Sequence, residues 1–137
     1  MREILFRGQT RRKGEKVRMD GTPVESNWVY GGVFQGPNRS IIYGYEPIEK
    51  RVVYTDTVGQ YTGLTDKNGK KIFEGDIVTI PGSKRRGLPA TVEYFPQGAV
   101  FQIRRVGYNA ITLWDANESV EVIGNIYDNP ELLEAQS

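Results

Sequence analysis

Apolar side chains recur at every second position in short runs along this chain, and glycine, asparagine or proline closes almost every run. A period of two is the mark of an extended strand with one covered face. On this basis residues 4–7 form a first strand ending at Gly8. Residues 27–34 form a second, with Trp28, Tyr30 and Val33 partly covered and Gly31-Gly32 bending it. Two further strands, 41–45 and 51–54, flank the loop 46–50, and Pro47 stops the first of them. Residues 61–64 lead into Asp66-Lys67-Asn68-Gly69, where Asn-Gly readily supplies the positive φ of a tight hairpin, and 72–80 is the returning run, interrupted by Gly75. The clearest hairpin sets Ala90, Val92 and Tyr94 against Ala99, Phe101 and Ile103 across a Pro96-Gln97-Gly98 turn. Residues 110–114 and 120–123 add two strands. A short C-terminal helix follows, capped by Asp128 or Asn129, with Pro130 at its first position and Glu131 in its first turn. The fold class expected is all-β, or mainly β, over a single domain, 1–137. A subdivision is also readable, into an N-terminal hairpin region, 1–56, and a C-terminal part, 57–137, with residues 55–57 as the linker.

Composition narrows the chemistry. The 137 residues include no cysteine and no histidine. Disulfides, thiolate metal sites, thiol nucleophiles and the usual general base near neutral pH are thereby all missing, and most hydrolase triads with them. No cofactor is called for. No long apolar run follows the charged start, so neither export nor membrane insertion is expected, and a reducing cytoplasm suits a cysteine-free chain. Net charge is +1, but its distribution is uneven: residues 1–18 hold seven cations against two acids, whereas from Asp115 onward there are six acids and no cation. These oppositely charged ends have three possible complements: each other within one subunit, each other between subunits, or an external partner.

The run from Thr57 to Val78, with Gly59-Gln60-Tyr61-Thr62-Gly63-Leu64-Thr65-Asp66 and Phe73-Glu74-Gly75-Asp76-Ile77-Val78 at its heart, closely resembles the signature of the YopX family of phage and prophage proteins. The opening Phe6-Arg7-Gly8 with Trp28-Val29-Tyr30-Gly31 agrees with it, as does the closing Val122-Ile123-Gly124-Asn125-Ile126-Tyr127-Asp128-Asn129-Pro130. The basic stretch 9–25 departs from the family's spacing and reads as an insertion. The resemblance implies a phage- or prophage-encoded protein of the bacterial cytoplasm, a compact β fold and self-association, and it carries no activity and no catalytic residue with it. Residues 75–123 also resemble a small SH3-like β-barrel in shape and spacing, a scaffold that hosts unrelated binding tasks.

Two surfaces are candidates for function. Lys84, Arg85 and Arg86 form a glycine-bounded basic loop, which Arg104 and Arg105 at the end of the neighbouring hairpin could extend into one patch. It is either a solvated charge run or a set of phosphate contacts for nucleic acid. The aromatics Tyr94, Phe95, Phe101, Tyr108 and Trp114 would supply stacking faces if exposed, but aromatics at alternating strand positions are usually core, and that is the reading expected for most of them. Trp28, Tyr30 and Gly31 are either core packing or the anchor of a homo-oligomer interface, since aromatics gather where subunits meet and glycine lets a second backbone approach. A further partner, a phage or host protein, fits the same reading. The acids Asp66, Glu74 and Asp76 are a carboxylate metal site only in the least favoured reading; the favoured one has Asp76 accept backbone N–H bonds from the adjoining turn. The chain is expected to be a binding or assembly protein and not an enzyme.

Overall fold

The computed structural model describes residues 3–15, 27–44, 48–83, 88–105, 107–116 and 119–134. Residues 16–25 of the basic stretch, Pro47, and the basic residues Lys84, Arg85 and Arg86 lie outside the described residues. The protein is mainly β and forms two compact units, Met1–Tyr61 and Thr62–Ser137.

In the first unit, β1 (Phe6–Gln9), β2 (Trp28–Phe34), β3 (Arg39–Tyr43), β4 (Lys50–Tyr54) and the start of β5 (Gly59–Thr65) form an antiparallel sheet in the order β4-β3-β2-β1-β5. Its inner face buries Ile42 and Val53 completely. Gly8 sits against Val53, and a Cβ at Gly8 would lie 2.8 Å from the valine Cγ2. Hydroxyls and amides fill the space beside them. Ser40 Oγ shares a 2.7 Å hydrogen bond with Thr55 Oγ1, and the Gln9 amide donates to Thr57 Oγ1 at 2.9 Å. Residues Thr55–Thr57, expected as a linker, form a 3-10 turn that presents both hydroxyls. Buried hydroxyls with partners on both sides avoid the cost of an orphaned polar atom.

In the second unit, β6 (Lys71–Phe73), β7 (Asp76–Thr79), β8 (Ala90–Phe95), β9 (Val100–Arg104), β10 (Ile111–Thr112) and β11 (Glu121–Asn125) follow. The last five make an antiparallel sheet in the order β10-β9-β8-β7-β11. One apolar cluster, Ile72, Val78, Val92, Ile103, Leu113, Ala116 and Val120, is its core. The expected SH3-like barrel is not found as a closed sheet, because β10 and β11 remain edges and do not pair. The expected run 72–80 breaks into two strands at Glu74-Gly75, with Gly75 at φ 91°.

Residues 110–114 are a second departure. Only Ile111–Thr112 is extended, and Leu113–Ala116 (α1) is a helical turn that drives Leu113 into the core and leaves Trp114 71% exposed. Thr112 Oγ1 donates to Asp115 Oδ2 at 2.7 Å. Threonine three residues ahead of an acid is the capping-box spacing, a helix-start signal that lay within an otherwise strand-like run. The short C-terminal helix is α2 (Glu131–Glu134), with Leu132 and Leu133 half-buried.

At the hairpin between β8 and β9 the left-handed residue is Ala99, at φ 51°, and not the neighbouring Gly98. An L side chain in that region costs about 1 kcal/mol or more, which glycine avoids. Ala99→Gly is therefore expected to raise the denaturation midpoint, with a net gain of up to about 1 kcal/mol after the glycine's greater unfolded-state freedom. A lowered midpoint in urea would count against this turn geometry.

Candidate functional site

Cross-strand partners share a face of a sheet, so registry identifies what the first unit shows to solvent. Phe34 pairs with Ile41 and Ile41 with Val52; Tyr43 pairs with Gly32 and with Lys50; Arg39 pairs with Tyr54. All of these lie on the face opposite Ile42 and Val53, and Tyr30 joins them two residues before Gly32. The middle of this face is left open among the described residues. Phe34 is 67% exposed and Tyr30 47%, with Tyr43 and Val52 also exposed. Apolar and aromatic side chains in adjoining rows form one patch across three strands, of the kind that marks a contact surface.

Of the three residues expected at an interface, Trp28 and Tyr30 share one face of β2 by their two-residue spacing, and Gly31 after them is set apart. Tyr30 is on the exposed face. Trp28 is half-buried, its ring 4.5 Å from the guanidinium carbon of the buried Arg7, which pairs with Tyr30 across β1 and β2. Gly31 is buried, and a Cβ there would fall 1.9 Å from the Tyr43 carbonyl oxygen. It is a packing residue between neighbouring strands. Phe34, Tyr43 and Val52, which complete the patch, were not foreseen. Their two-residue spacing is visible in the sequence, but the face left uncovered is not.

At the far end of the same face, Arg12, Pro37, Asn38, Arg39, Tyr54 and Asp56 line a cleft of about 330 Å³. The Arg12 guanidinium lies over the Tyr54 ring at 4.0 Å and is held by both oxygens of Asp56, at 3.2 and 3.1 Å. The Tyr54 hydroxyl donates to the Glu15 carboxylate at 3.2 Å. Burial, the bond to Glu15 and its negative charge raise the phenol's pKa, while Arg12 and Arg39 act in the opposite sense. The phenol keeps its proton.

In the second unit the two described members of the expected basic patch are already engaged. Arg104 forms a two-pronged pair with Glu93, at 2.7 Å and 3.2 Å, and Arg105 Nη1 donates to the Pro89 carbonyl at 2.8 Å. The hydrogen bond from Arg104 outweighs burial and, with Gln102, holds the Glu93 carboxyl below its ordinary range. The nearby aromatics depart from the expected core reading. Tyr94, Phe95, Tyr108 and Trp114 are exposed, and among these five residues only Phe101 packs against the core. Tyr94 and Phe95 stand at the outer end of the hairpin, and Trp114 projects from the side of α1 opposite Leu113.

The carboxylates serve the backbone. Asp76 Oδ2 accepts the Phe73 amide at 2.8 Å within the Phe73–Asp76 turn. Asp66 accepts the amides of Asn68 and Lys70 on one oxygen and of Val122 on the other, all at 2.9–3.0 Å. Among the described residues no cluster of three or more acids has metal-binding spacing, and no helix is long and apolar enough to cross a membrane.

Comparison with known proteins agrees with this architecture. The crystal structure of protein EF1440 from Enterococcus faecalis is similar, with 25% identity and a TM-score of 0.52 over 97% of this chain and 99% of that one. No curated protein matches the sequence. The family model described as YopX protein matches residues 6–134, almost the whole length. The chain belongs to the YopX family.

Proposed function

We propose that this is a non-catalytic accessory protein of phage type that works by assembly, and that copies of the chain meet through the exposed face of the first unit's sheet. Family membership supports the phage setting, and a cytoplasmic home follows from it. The observation that carries the contact surface is the registered patch of Tyr30, Phe34, Tyr43 and Val52, apolar surface that the described residues leave uncovered. Aromatic side chains bury large areas at little conformational cost, which is why they dominate subunit contacts. A nucleic-acid role through Lys84, Arg85, Arg86, Arg104 and Arg105 is not proposed, since Arg104 and Arg105 are bonded internally.

Light scattering coupled to size exclusion tests the reading. The wild-type chain is expected at a multiple of its 15.5 kDa at micromolar concentration. Phe34→Glu should weaken association by about tenfold or more, because a carboxylate would be forced into a desolvated contact. Phe34 is so exposed that the variant's melting temperature should stay unchanged. A wild-type protein that elutes as a monomer at every concentration would end the proposal.

A further inference from the structure

Arg39 sits exposed at the start of β3 and lines the cleft beside Tyr54, and its guanidinium has no ion-pair partner among the described residues. Arg12, on the cleft's other side, is in a different state. Its Nη1 is shared between the two oxygens of Asp56, one face of its plane lies on Tyr54, and its side chain is still 48% exposed. The opposite face of the plane is therefore open, as is Nη2 at its edge. The Tyr54 hydroxyl is bonded to Glu15, which favours the ring position under Arg12.

We infer that this cleft binds a nucleotide, with the base laid on the outer face of Arg12 and the phosphate on Arg39. Guanidinium planes stack on flat heterocycles, and a plane already clamped by a ring and a carboxylate loses little freedom when a base covers it. An arginine without an internal acid is the natural partner of a phosphate and forms charge-assisted bonds to it. Asn38 provides a donor and an acceptor at the rim for the edge of a base. The volume of about 330 Å³ falls in the range of small-ligand sites. A bare phosphate would use only half of the arrangement, since it has no flat surface to cover the open face of Arg12. An acidic peptide would leave the Arg12 plane uncovered. The cleft is built within one unit of one chain, at the end of the proposed contact face away from Tyr30 and Tyr43.

Isothermal titration of the intact protein with adenosine 5′-monophosphate, adenosine, inorganic phosphate and a single-stranded oligonucleotide tests it. The monophosphate is expected to bind saturably, with adenosine and phosphate each at least about tenfold weaker, since each engages only one half of the site. Arg39→Ala should reduce monophosphate affinity by about tenfold without altering the melting temperature, and Arg39→Lys should keep part of it. An oligonucleotide that binds tighter than the monophosphate, with affinity falling steeply in salt, identifies single-stranded nucleic acid as the source of the nucleotide; equal or tighter binding of the monophosphate identifies a free one. No saturable binding of monophosphate or oligonucleotide, unchanged affinity in Arg39→Ala, or phosphate binding as tightly as the monophosphate would each overturn the assignment.

Discussion

Asp66→Ala is expected to destabilise the second unit by roughly 3 kcal/mol or more, read as a shift in the urea midpoint at neutral pH. This carboxylate is 6% exposed, and each of its oxygens is used. One takes the amides of Asn68 and Lys70 and so closes the hairpin at Gly69; the other takes the amide of Val122, fifty-six positions away, and ties that hairpin to β11. Lys67 donates from the same turn to the Val120 carbonyl at 2.9 Å, so the tie is double. Alanine would orphan three amides in a poorly solvated place, where each loses the full value of its bond. Asp66→Asn would be milder than Asp66→Ala but could not reproduce the wild type. A side-chain amide has one acceptor oxygen, and its nitrogen, facing the other side, would set a donor against a donor.

The same residue gives a pH dependence whose sign can be worked out. Burial acts to raise the Asp66 pKa, but the three amides and the charge of Lys70 outweigh it and hold the carboxyl below its ordinary value of 3.8. A depressed folded-state pKa means that the unfolded chain binds the proton first as pH falls. The stabilisation is complete above the ordinary carboxylate range and is lost as pH drops through the folded value. Glu93, also held low, adds a smaller loss in the same direction, discounted for the exposure of its partner Arg104. Denaturation midpoints measured from pH 6 to pH 2 should fall steeply at the acid end in the wild type and less steeply in Asp66→Asn. Equal slopes in the two proteins would contradict the role given to this carboxylate.

What could be read from the sequence, and what could not, divides along a physical line. Alternation reports that a segment is extended and two-sided, and the strands appear close to where it places them. Even the structural role of Asp76 followed from a short acid beside a glycine turn. Alternation does not report whether anything covers each side. Tyr94 and Val92 occupy the same side of β8, yet Val92 is buried and Tyr94 is not, because the core ends before the hairpin does. The same blindness hid the first unit's outer face. Tyr30 and Phe34 could be placed on one side of a strand, but their junction with Tyr43 and Val52 depends on the registers of β2 with β3 and β3 with β4. Charge is similarly incomplete. Arg104 and Arg39 look alike in the sequence, and only pairing distinguishes a cation spent on Glu93 from one facing an open cleft. Arg12 and Tyr54 lie far apart in the chain, and no local pattern announces that one is laid on the other.

Gly31 is where the reading by residue type and the reading by structure make opposite forecasts, and one substitution separates them. If glycine served a subunit contact, Gly31→Ala would leave a folded monomer. In the structure the added methyl falls 1.9 Å from the Tyr43 carbonyl oxygen and 2.6 Å from its carbon. Both are main-chain atoms of the neighbouring strand, so no rotamer change can make room. The strands must part, and Gly32 with Tyr43, Val33 with Ile42 and Phe34 with Ile41 are the pairs that separate first. Overpacking a rigid site costs about 1–3 kcal/mol, and a main-chain obstacle puts this variant at the upper end or beyond. The expected result is a first unit that melts well below the wild type, with amide exchange in β2 and β3 accelerated before that in β8 and β9. Ile42 lies behind the pairing that is lost, so opening these strands also exposes the apolar interior of the unit. A Gly31→Ala protein with wild-type melting temperature and impaired association would return the residue to the interface and move the strain elsewhere.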